Sequence, residues 1–293
     1  MAKAVYVGVG SKARKMKKAY IGIGGKARKV KKMYIGVGGK ARLCYSAEAA
    51  KFGTATPLSK YRTLLAGATV GGYALFGGGG YVKGEAIMDA YNASLTRTAA
   101  ASLSVARQGL TAITLGNHAL FVGGQSEFTP FGTVDVYDAS LTRTTATELS
   151  ISRYDSAAAV VGSYALFAGG RGRNGIFTMA QPAVDAYNTS LTRTTATPLP
   201  SNAYACAGGT VGGYAVFSGG SDINSDSTLV ETIGGMEMVR AYDSSLTSSQ
   251  AAPLSCHRAV HSAATIGNHL LLAGGYNDTT GQYLSTVASY DAS

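Results

Sequence analysis

The sequence predicts an all-β protein in which a small four-stranded sheet is repeated several times. Three observations predict this fold class. The 293 residues include 39 glycines and few charged residues, and glycine suits tight turns better than helix interiors. Short alternating or hydrophobic segments recur between Gly-rich turns, as strands do. Two internal repeats run through the chain, one with a period of 14 residues and one with periods of 46 to 55 residues.

The shorter repeat occupies the N-terminal segment, residues 1–44. Each unit pairs an alternating Tyr-Ile/Val-Gly-Ile/Val strand with a basic Lys-Ala-Arg strand across a turn, which predicts three β-hairpins. One hairpin is marginally stable by itself, so we expect this segment to dock onto another structure or to associate with further copies. The expected docking residues are Tyr6, Lys12, Arg14, Tyr20, Lys26, Arg28, Tyr34, Lys40 and Arg42.

The positive charge is concentrated in the same segment. Residues 1–45 hold ten lysines, three arginines and no acidic residue, whereas the rest of the chain has 13 basic and 16 acidic side chains. Such a density of cations attracts phosphates without sequence preference. Contact of this segment with nucleic acid therefore remains an alternative to its docking onto a protein.

The longer repeat defines a second domain, residues 45–293. Its anchors are Tyr45, Tyr91, Tyr137, Tyr187, Tyr242 and Tyr290. Within a unit the order is constant: Tyr-Asn/Asp, Ser-Leu-Thr, a Leu, a linker, a small-residue strand, a Gly turn, a hydrophobic strand and Gly-Gly. Four short strands in each period of this length predict the blades of a β-propeller.

These units resemble kelch repeats. The resemblance rests on the Gly pairs after the hydrophobic strand, such as Gly123–Gly124, on the Tyr-Asp/Asn segment, and on the linker arginines Arg62, Arg107, Arg153 and Arg258. The tryptophan usual in kelch blades is absent, and Ala203 replaces the linker arginine of the fourth unit. The resemblance implies a kelch-like β-propeller.

The two ends of the repeat predict how the ring closes. The last unit stops at Ser293 without its outer strand, and Thr54–Leu58 has the sequence of that missing piece. Pairing the two would remove free sheet edges, which predicts a closed ring of five blades. Six or seven blades is the alternative if the chain is a fragment of a longer ring.

One face of the propeller is the expected binding face. The turns between the first and second strands are short and uniform, whereas the loops between the second and third strands vary in length and chemistry. Recognition residues collect on such loops, and aromatic rings beside Asn, Asp and Arg suit sugars, although ordinary solvated loops have a similar composition. The expected residues are Tyr81, Lys83, Glu127, Phe128, Phe131, Arg171, Arg173, Asn174, Phe177, Asp222, Asn224, Asp226, Tyr276, Asn277 and Tyr283.

Catalysis is not expected. The three cysteines and four histidines have no metal-ligand spacing, and no nucleophile motif occurs, so the sequence predicts neither an enzyme nor a cofactor or metal. The N-terminus lacks a continuous apolar stretch, which predicts neither a signal peptide nor membrane insertion.

The near-identical blades and the Tyr-Ile-Gly-Val-Gly-Gly-Lys-Ala-Arg units also resemble tail-associated proteins of bacteriophages and prophages. This resemblance implies a virion protein, made in the host cytoplasm. Residues 1–44 would dock to other virion or tail proteins, with a homo-oligomer as an open alternative, and the propeller would recognise a host-surface glycan or protein. The alternative is an intracellular kelch scaffold that binds protein partners while its basic tail touches nucleic acid.

Overall fold

The structure, a computed structural model, divides into two compact units, Met1–Thr54 and Ala55–Ser293. It describes the backbone of six strands within residues 6–46, and residues 53–291 apart from 81–82, 175–176, 223–233 and 278. Every regular element in this described part is a β-strand. Within it, no helix has the length and apolar character needed to cross a membrane.

The first unit contains three antiparallel hairpins, as predicted from the 14-residue repeat. Their strands are β1 (Tyr6–Val9), β2 (Lys12–Lys15), β3 (Tyr20–Ile23), β4 (Lys26–Lys29), β5 (Lys32–Val37) and β6 (Lys40–Ser46). The first two share a register, with Tyr6 opposite Lys15 and Tyr20 opposite Lys29. The third is longer and contains a register shift at Met33 and Tyr34. Tyr45, which the sequence analysis takes as the first anchor of the longer repeat, lies opposite Met33 in this hairpin.

Among its described residues, the second unit shows five repeated sheets, here called blades. Blade 1 contains β7 (Ala66–Val70), β8 (Tyr73–Gly77), β9 (Met88–Tyr91) and β10 (Arg97–Ala99). Blade 2 contains β11 (Thr111–Leu115), β12 (His118–Val122), the loop hairpin β13 (Gln125–Ser126) and β14 (Thr129–Pro130), β15 (Val134–Tyr137) and β16 (Arg143–Ala146).

Blades 3, 4 and 5 repeat this plan, again with hairpins in the loops between the second and third blade strands. Blade 3 follows the linker strand β17 (Arg153–Tyr154) and contains β18 (Ala157–Val161), β19 (Tyr164–Ala168), β20 (Arg171–Asn174), β21 (Phe177–Ala180), β22 (Val184–Asn188) and β23 (Arg193–Thr195). Blade 4 contains β24 (Ala207–Val211), β25 (Tyr214–Ser218), β26 (Ser221–Asp222), β27 (Gly234–Gly235), β28 (Val239–Tyr242) and β29 (Ser248–Gln250). Blade 5 contains β30 (Ser262–Ile266), β31 (His269–Ala273), β32 (Tyr276–Asn277), β33 (Gln282–Tyr283) and β34 (Val287–Asp291).

The small-residue strands β7, β11, β18, β24 and β30 lie innermost and neighbour one another in chain order, as predicted. Each pair of adjacent blades encloses its own hydrophobic cluster. Between blades 2 and 3, for example, Leu120 and Val136 pack with Phe167 and Tyr187, and all four are at most 1% exposed. The Gly pairs allow this close packing: a Cβ on Gly123 would lie 2.3 Å from the Arg153 carbonyl oxygen.

A buried ion pair stabilises each of the first three blades. In blade 2, Arg107 Nη2 lies 2.8 Å from Asp135 Oδ2, and both side chains are 0% exposed. Arg143, on the outer strand, lies 3.0 Å from the other carboxylate oxygen. Arg62–Asp89 and Arg153–Asp185 repeat the pair in blades 1 and 3.

Blades 4 and 5 lack this buried Arg–Asp pair among the described residues, because one or both of its residue types are replaced. Blade 4 has Ala203 at the arginine position and Arg240 at the aspartate position, so both partners have changed. Blade 5 keeps Arg258, 1% exposed, but has Ala288 at the aspartate position. Arg258 instead donates hydrogen bonds to three carbonyl oxygens and to the Thr286 hydroxyl.

The predicted closure of the ring through Thr54–Leu58 is not formed among the described residues. Residues 54–58 form no strand; Thr56 N donates to the Leu95 carbonyl of blade 1, 3.5 Å away. The sheet of blade 5 has three strands, β30, β31 and β34. Its Ile266 and Val287 are 50% and 58% exposed, whereas the equivalent Val211 and Val239 of blade 4 are 5% and 1% exposed.

The observed outer strands lie a few residues earlier in each repeat unit than the sequence predicts. The outer strands of blades 1 to 3 begin at the Arg of Ser-Leu-Thr-Arg, and that of blade 4 begins at Ser248. Each ends before the next Leu of its unit, as β16 ends at Ala146 and Leu149 follows. By the same register, Thr54–Leu58 corresponds mainly to the stretch after an outer strand. The expected count of five blades stays a prediction.

Candidate binding face

Loops and linkers form a collar on one face of the propeller. The loop hairpins β13–β14, β20–β21, β26–β27 and β32–β33 follow the Gly pairs of blades 2 to 5. Each incoming linker pairs with the start of its own loop, as Tyr154 does with Arg171 and Tyr204 with Ser221. Neighbouring hairpins touch: β14 contacts β20, and β21 contacts β26. The loop hairpins of blades 2 to 4 therefore make a continuous surface.

The opposite face is uniform. In all five blades a two-residue turn joins the first and second strands, at 71–72, 116–117, 162–163, 212–213 and 267–268. The contrast in loop length between the two faces, predicted from the sequence, is present in the structure.

The predicted aromatic residues take different positions in the collar. Phe128 lies at the tip of β13–β14 and is 77% exposed, whereas Phe131 is half-buried. Tyr276 and Tyr283 pack ring against ring with centroids 5.3 Å apart, and Tyr283 is 88% exposed. Phe177 lies opposite Asn174 at the tip of β20–β21, where the backbone alone is described. Tyr81 falls outside the described residues.

The predicted polar residues also separate into groups. Arg171 stacks on the ring of Tyr204, with its guanidinium carbon 3.7 Å from the ring centroid. Arg173 is exposed on β20, and Asp222 is partly buried on β26. Asn277 is buried and accepts a hydrogen bond from Thr280 N, which gives it a structural role in its turn.

An exposed ion pair joins the loops of the first two blades, since Lys83 Nζ lies 2.7 Å from Glu127 Oε1. Asn224 and Asp226 fall outside the described residues. The structure thus gathers the described candidates on one face without assigning them a ligand.

Several polar residues near the propeller axis were not predicted. Asp155 precedes β18 and is exposed as a residue, yet local desolvation raises the pKa of its carboxyl group, and the charge of Arg171 opposes that rise. Desolvation also raises the pKa of Asp222, which the sequence did predict for this face. Gln108, Gln125, Tyr204 and Ser221 lie beside them in linkers or directly after Gly pairs. The repeat register could have found them, because they occupy equivalent positions in successive blades.

In the part of the collar that the structure describes, no reaction centre is evident. Ser218 Oγ lies 2.9 Å from His261 Nε2, but this pair is buried between blades 4 and 5, and Ser218 is 0% exposed. Burial lowers the pKa of His261 to about 4, so its imidazole is neutral at physiological pH. Among the described residues no group of three His, Cys, Asp or Glu side chains is arranged to hold a metal ion.

Comparison with known proteins agrees with this architecture. Residues 257–293 match the Kelch motif. The fold is similar to that reported as "Structure of YjhT", with a TM-score of 0.63 and 13% sequence identity over 78% of this chain and 84% of that chain. The fold is a β-propeller, and its last blade matches the Kelch motif. No curated protein matches its sequence. At this level of identity, the likeness of the kelch-like propeller to YjhT concerns the fold alone.

Proposed function

We propose that this kelch-like propeller is a non-catalytic binding module that recognises its partner through the collar. The observation that carries the proposal is the contrast between faces: uneven hairpins with exposed aromatic and polar side chains on one, uniform two-residue turns on the other. Rigid scaffolds commonly present recognition residues in this way.

The partner we propose is a glycan or protein on a host surface, within a phage or prophage particle. The sequence resemblance to tail-associated proteins supports this assignment. The three basic hairpins, with Tyr, Lys and Arg in register, are suited to docking onto other virion proteins. The exposed aromatics Phe128 and Tyr283 offer flat apolar surfaces, which can stack on sugar rings or anchor a protein contact.

The proposal is tested by binding of the full chain to purified bacterial envelopes and to a glycan array. We expect binding by the wild-type chain and at least tenfold weaker binding by a double variant, Phe128→Ser with Tyr283→Ser. The matched control is Tyr214→Ser, which removes a 42% exposed tyrosine from the opposite face. Equal loss in the control and the double variant would contradict recognition by the collar.

Attachment through the hairpins is tested separately, with the variant Lys26→Gln, Arg28→Gln, Lys40→Gln, Arg42→Gln. We expect the wild-type chain to copurify with assembled particles and the variant to be lost from them. The intracellular scaffold would be favoured instead if the chain never enters particles and retards DNA only at low salt.

A further inference from the structure

The sheet of blade 5 ends in an unpaired edge. Its third strand, β34, pairs with β31 on one side, and among the described residues no strand pairs with its other side. In blades 1 to 4 the same edge is covered by the outer strands β10, β16, β23 and β29. We call the uncovered side of β34 the free edge.

The direction of the backbone groups of β34 follows from the bond that precedes it. Thr286 O accepts a hydrogen bond from Gly274 N, 3.3 Å away, so Thr286 faces the neighbouring strand β31. The backbone groups of successive residues in an antiparallel strand point to opposite sides. Val287, Ser289 and Asp291 therefore direct their N–H and C=O groups to the free edge.

The counterparts of Val287 in blades 3 and 4 show what these groups do when an outer strand is present. Val184 O accepts a hydrogen bond of 2.9 Å from Ala196 N. Val239 O accepts one of 3.1 Å from Ala251 N. Both donors directly follow an outer strand. The free edge of β34 thus has the hydrogen-bonding capacity for one more strand.

The free edge lacks the features that usually prevent strands from pairing. Such features are proline, lysine, a bulge or a very short strand. The sequence of β34 is Val-Ala-Ser-Tyr-Asp, its register with β31 is unbroken, and its one charge lies at the end, on Asp291. The outer strands of blades 1 to 4 span only three or four residues. The free edge is therefore longer than the outer edge of any other blade.

We propose that β34 pairs with β34 of a second copy of this chain, antiparallel and about a two-fold axis at Ser289. In this register Ser289 lies opposite the partner's Ser289, and Val287 lies opposite the partner's Asp291. Residues in such pairs exchange two hydrogen bonds each, about six in all. Every N–H and C=O group that β34 directs to the free edge is then satisfied.

The side chains of β34 suit this pairing. Ala288 lies opposite the partner's Tyr290, so a small side chain meets a large one. The Asp291 carboxylates of the two copies lie at opposite ends of the paired strands, which avoids like charges directly opposite each other. A two-fold axis satisfies both copies with the same contacts, as in most homodimers.

The segment of the same chain that the sequence predicts for this edge lies elsewhere. Thr56, within Thr54–Leu58, donates its N–H to Leu95 O of blade 1. A second copy needs no rearrangement of that segment, because its β34 has the same free edge.

The inference is independent of the proposed function of the collar. In each copy β34 follows the collar hairpin β32–β33 and runs away from the collar. Antiparallel pairing therefore places the two collars at opposite ends of the shared sheet. Each collar stays free to bind.

Pairing is tested by sedimentation velocity of the full chain over a series of concentrations. We expect the wild-type chain to convert reversibly from monomer to dimer. Ser289→Pro removes the central N–H of the free edge and keeps the hydrogen bonds to β31, so dimerisation should weaken by about tenfold or more. The matched control is Thr145→Pro, on the outward side of the outer strand β16, and it should dimerise like wild type.

A second variant, Ser289→Cys, gives a readout that does not depend on tolerance of proline. Cα atoms in a hydrogen-bonded antiparallel pair lie about 5.5 Å apart, which is within the range of a disulfide. Mild oxidation should therefore join two copies through the introduced thiols, as identified by mass spectrometry. The control Thr145→Cys should form such a link about tenfold more slowly.

Three results would overturn the inference. The first is a wild-type chain that stays monomeric up to the highest soluble concentration; slow amide exchange at Ser289 would then assign the free edge to another segment of the same chain. The second is a dimer or larger assembly that Ser289→Pro leaves unchanged. The third is cross-linking of Ser289→Cys no faster than that of Thr145→Cys. Envelope binding through Phe128 and Tyr283 is measured separately, so the proposed function and this inference fail independently.

Discussion

The buried Arg107–Asp135 pair offers a sharp test of what stabilises a blade. In the variant Asp135→Asn the shape of the side chain is kept and its charge removed. Asp135 faces Arg107 at 2.8 Å and Arg143 at 3.0 Å, and its carboxylate accepts a hydrogen bond from Ser104 N. Burial already lowers the pKa of Arg107. Without the carboxylate, a 0% exposed guanidinium keeps only backbone carbonyls as partners.

Breaking a buried pair by removing one partner typically costs about 3–5 kcal/mol. For a unit of this size the thermal midpoint should fall by roughly 6–20 °C. We expect this loss in urea denaturation followed by far-ultraviolet circular dichroism. The control Glu148→Gln, an exposed carboxylate close in sequence, should change stability by less than about 0.5 kcal/mol.

Removing both partners should cost less than removing one. Blade 4 already lacks the pair, with Ala203 and Arg240 at its two positions. We therefore expect Arg107→Met combined with Asp135→Leu to be more stable than Asp135→Asn, because no unpaired charge stays buried. A cost below about 1 kcal/mol for Asp135→Asn, or a double variant as unstable as the sum of its single changes, would refute this reasoning.

Three further predictions concern single positions in the propeller. Burial between blades lowers the pKa of His261 from 6.5 to about 4, so the unfolded chain binds a proton at this residue more readily than the folded chain does. The free energy of unfolding should therefore be greatest above pH 6.5 and fall by about 3 kcal/mol as the pH drops to 4. Urea midpoints measured across this range should depend less on pH in the variant His261→Gln. Burial raises the pKa of Cys206 to about 11, so mass spectrometry should show slow alkylation at pH 8 until the chain is unfolded, and alkylation as fast as that of glutathione would contradict this. Val184→Ala should lower the free energy of unfolding by about 2 kcal/mol and Val287→Ala by less than about 0.5 kcal/mol, because the two equivalent side chains are 2% and 58% exposed. Equal losses for the two variants would show that the ring closes over Val287 in solution.

The sequence by itself determined the repeat and therefore most of the fold. Tyr137, the Gly pair 123–124 and the Ser-Leu-Thr segment recur at fixed positions because every blade must make the same turns and the same contacts with its neighbour. The structure gives the segment its role: Asp138 accepts hydrogen bonds from Ser140 N and Thr142 N, and Leu141 adopts a φ of 63°. Such contacts lie within a few residues of one another, so their pattern is legible in the chain.

Only the tertiary structure decided which distant residues meet. The sequence marked Arg107 and Arg153 but not their aspartate partners, and it marked Arg171 without Tyr204. It also placed the outer strand of the last blade at Thr54–Leu58, where the structure has none. Which side chain pairs with another 28 or more residues away depends on how the blades pack and on where each sheet edge ends. Several residues of the same type fit the same local pattern, so the sequence alone does not select the partner.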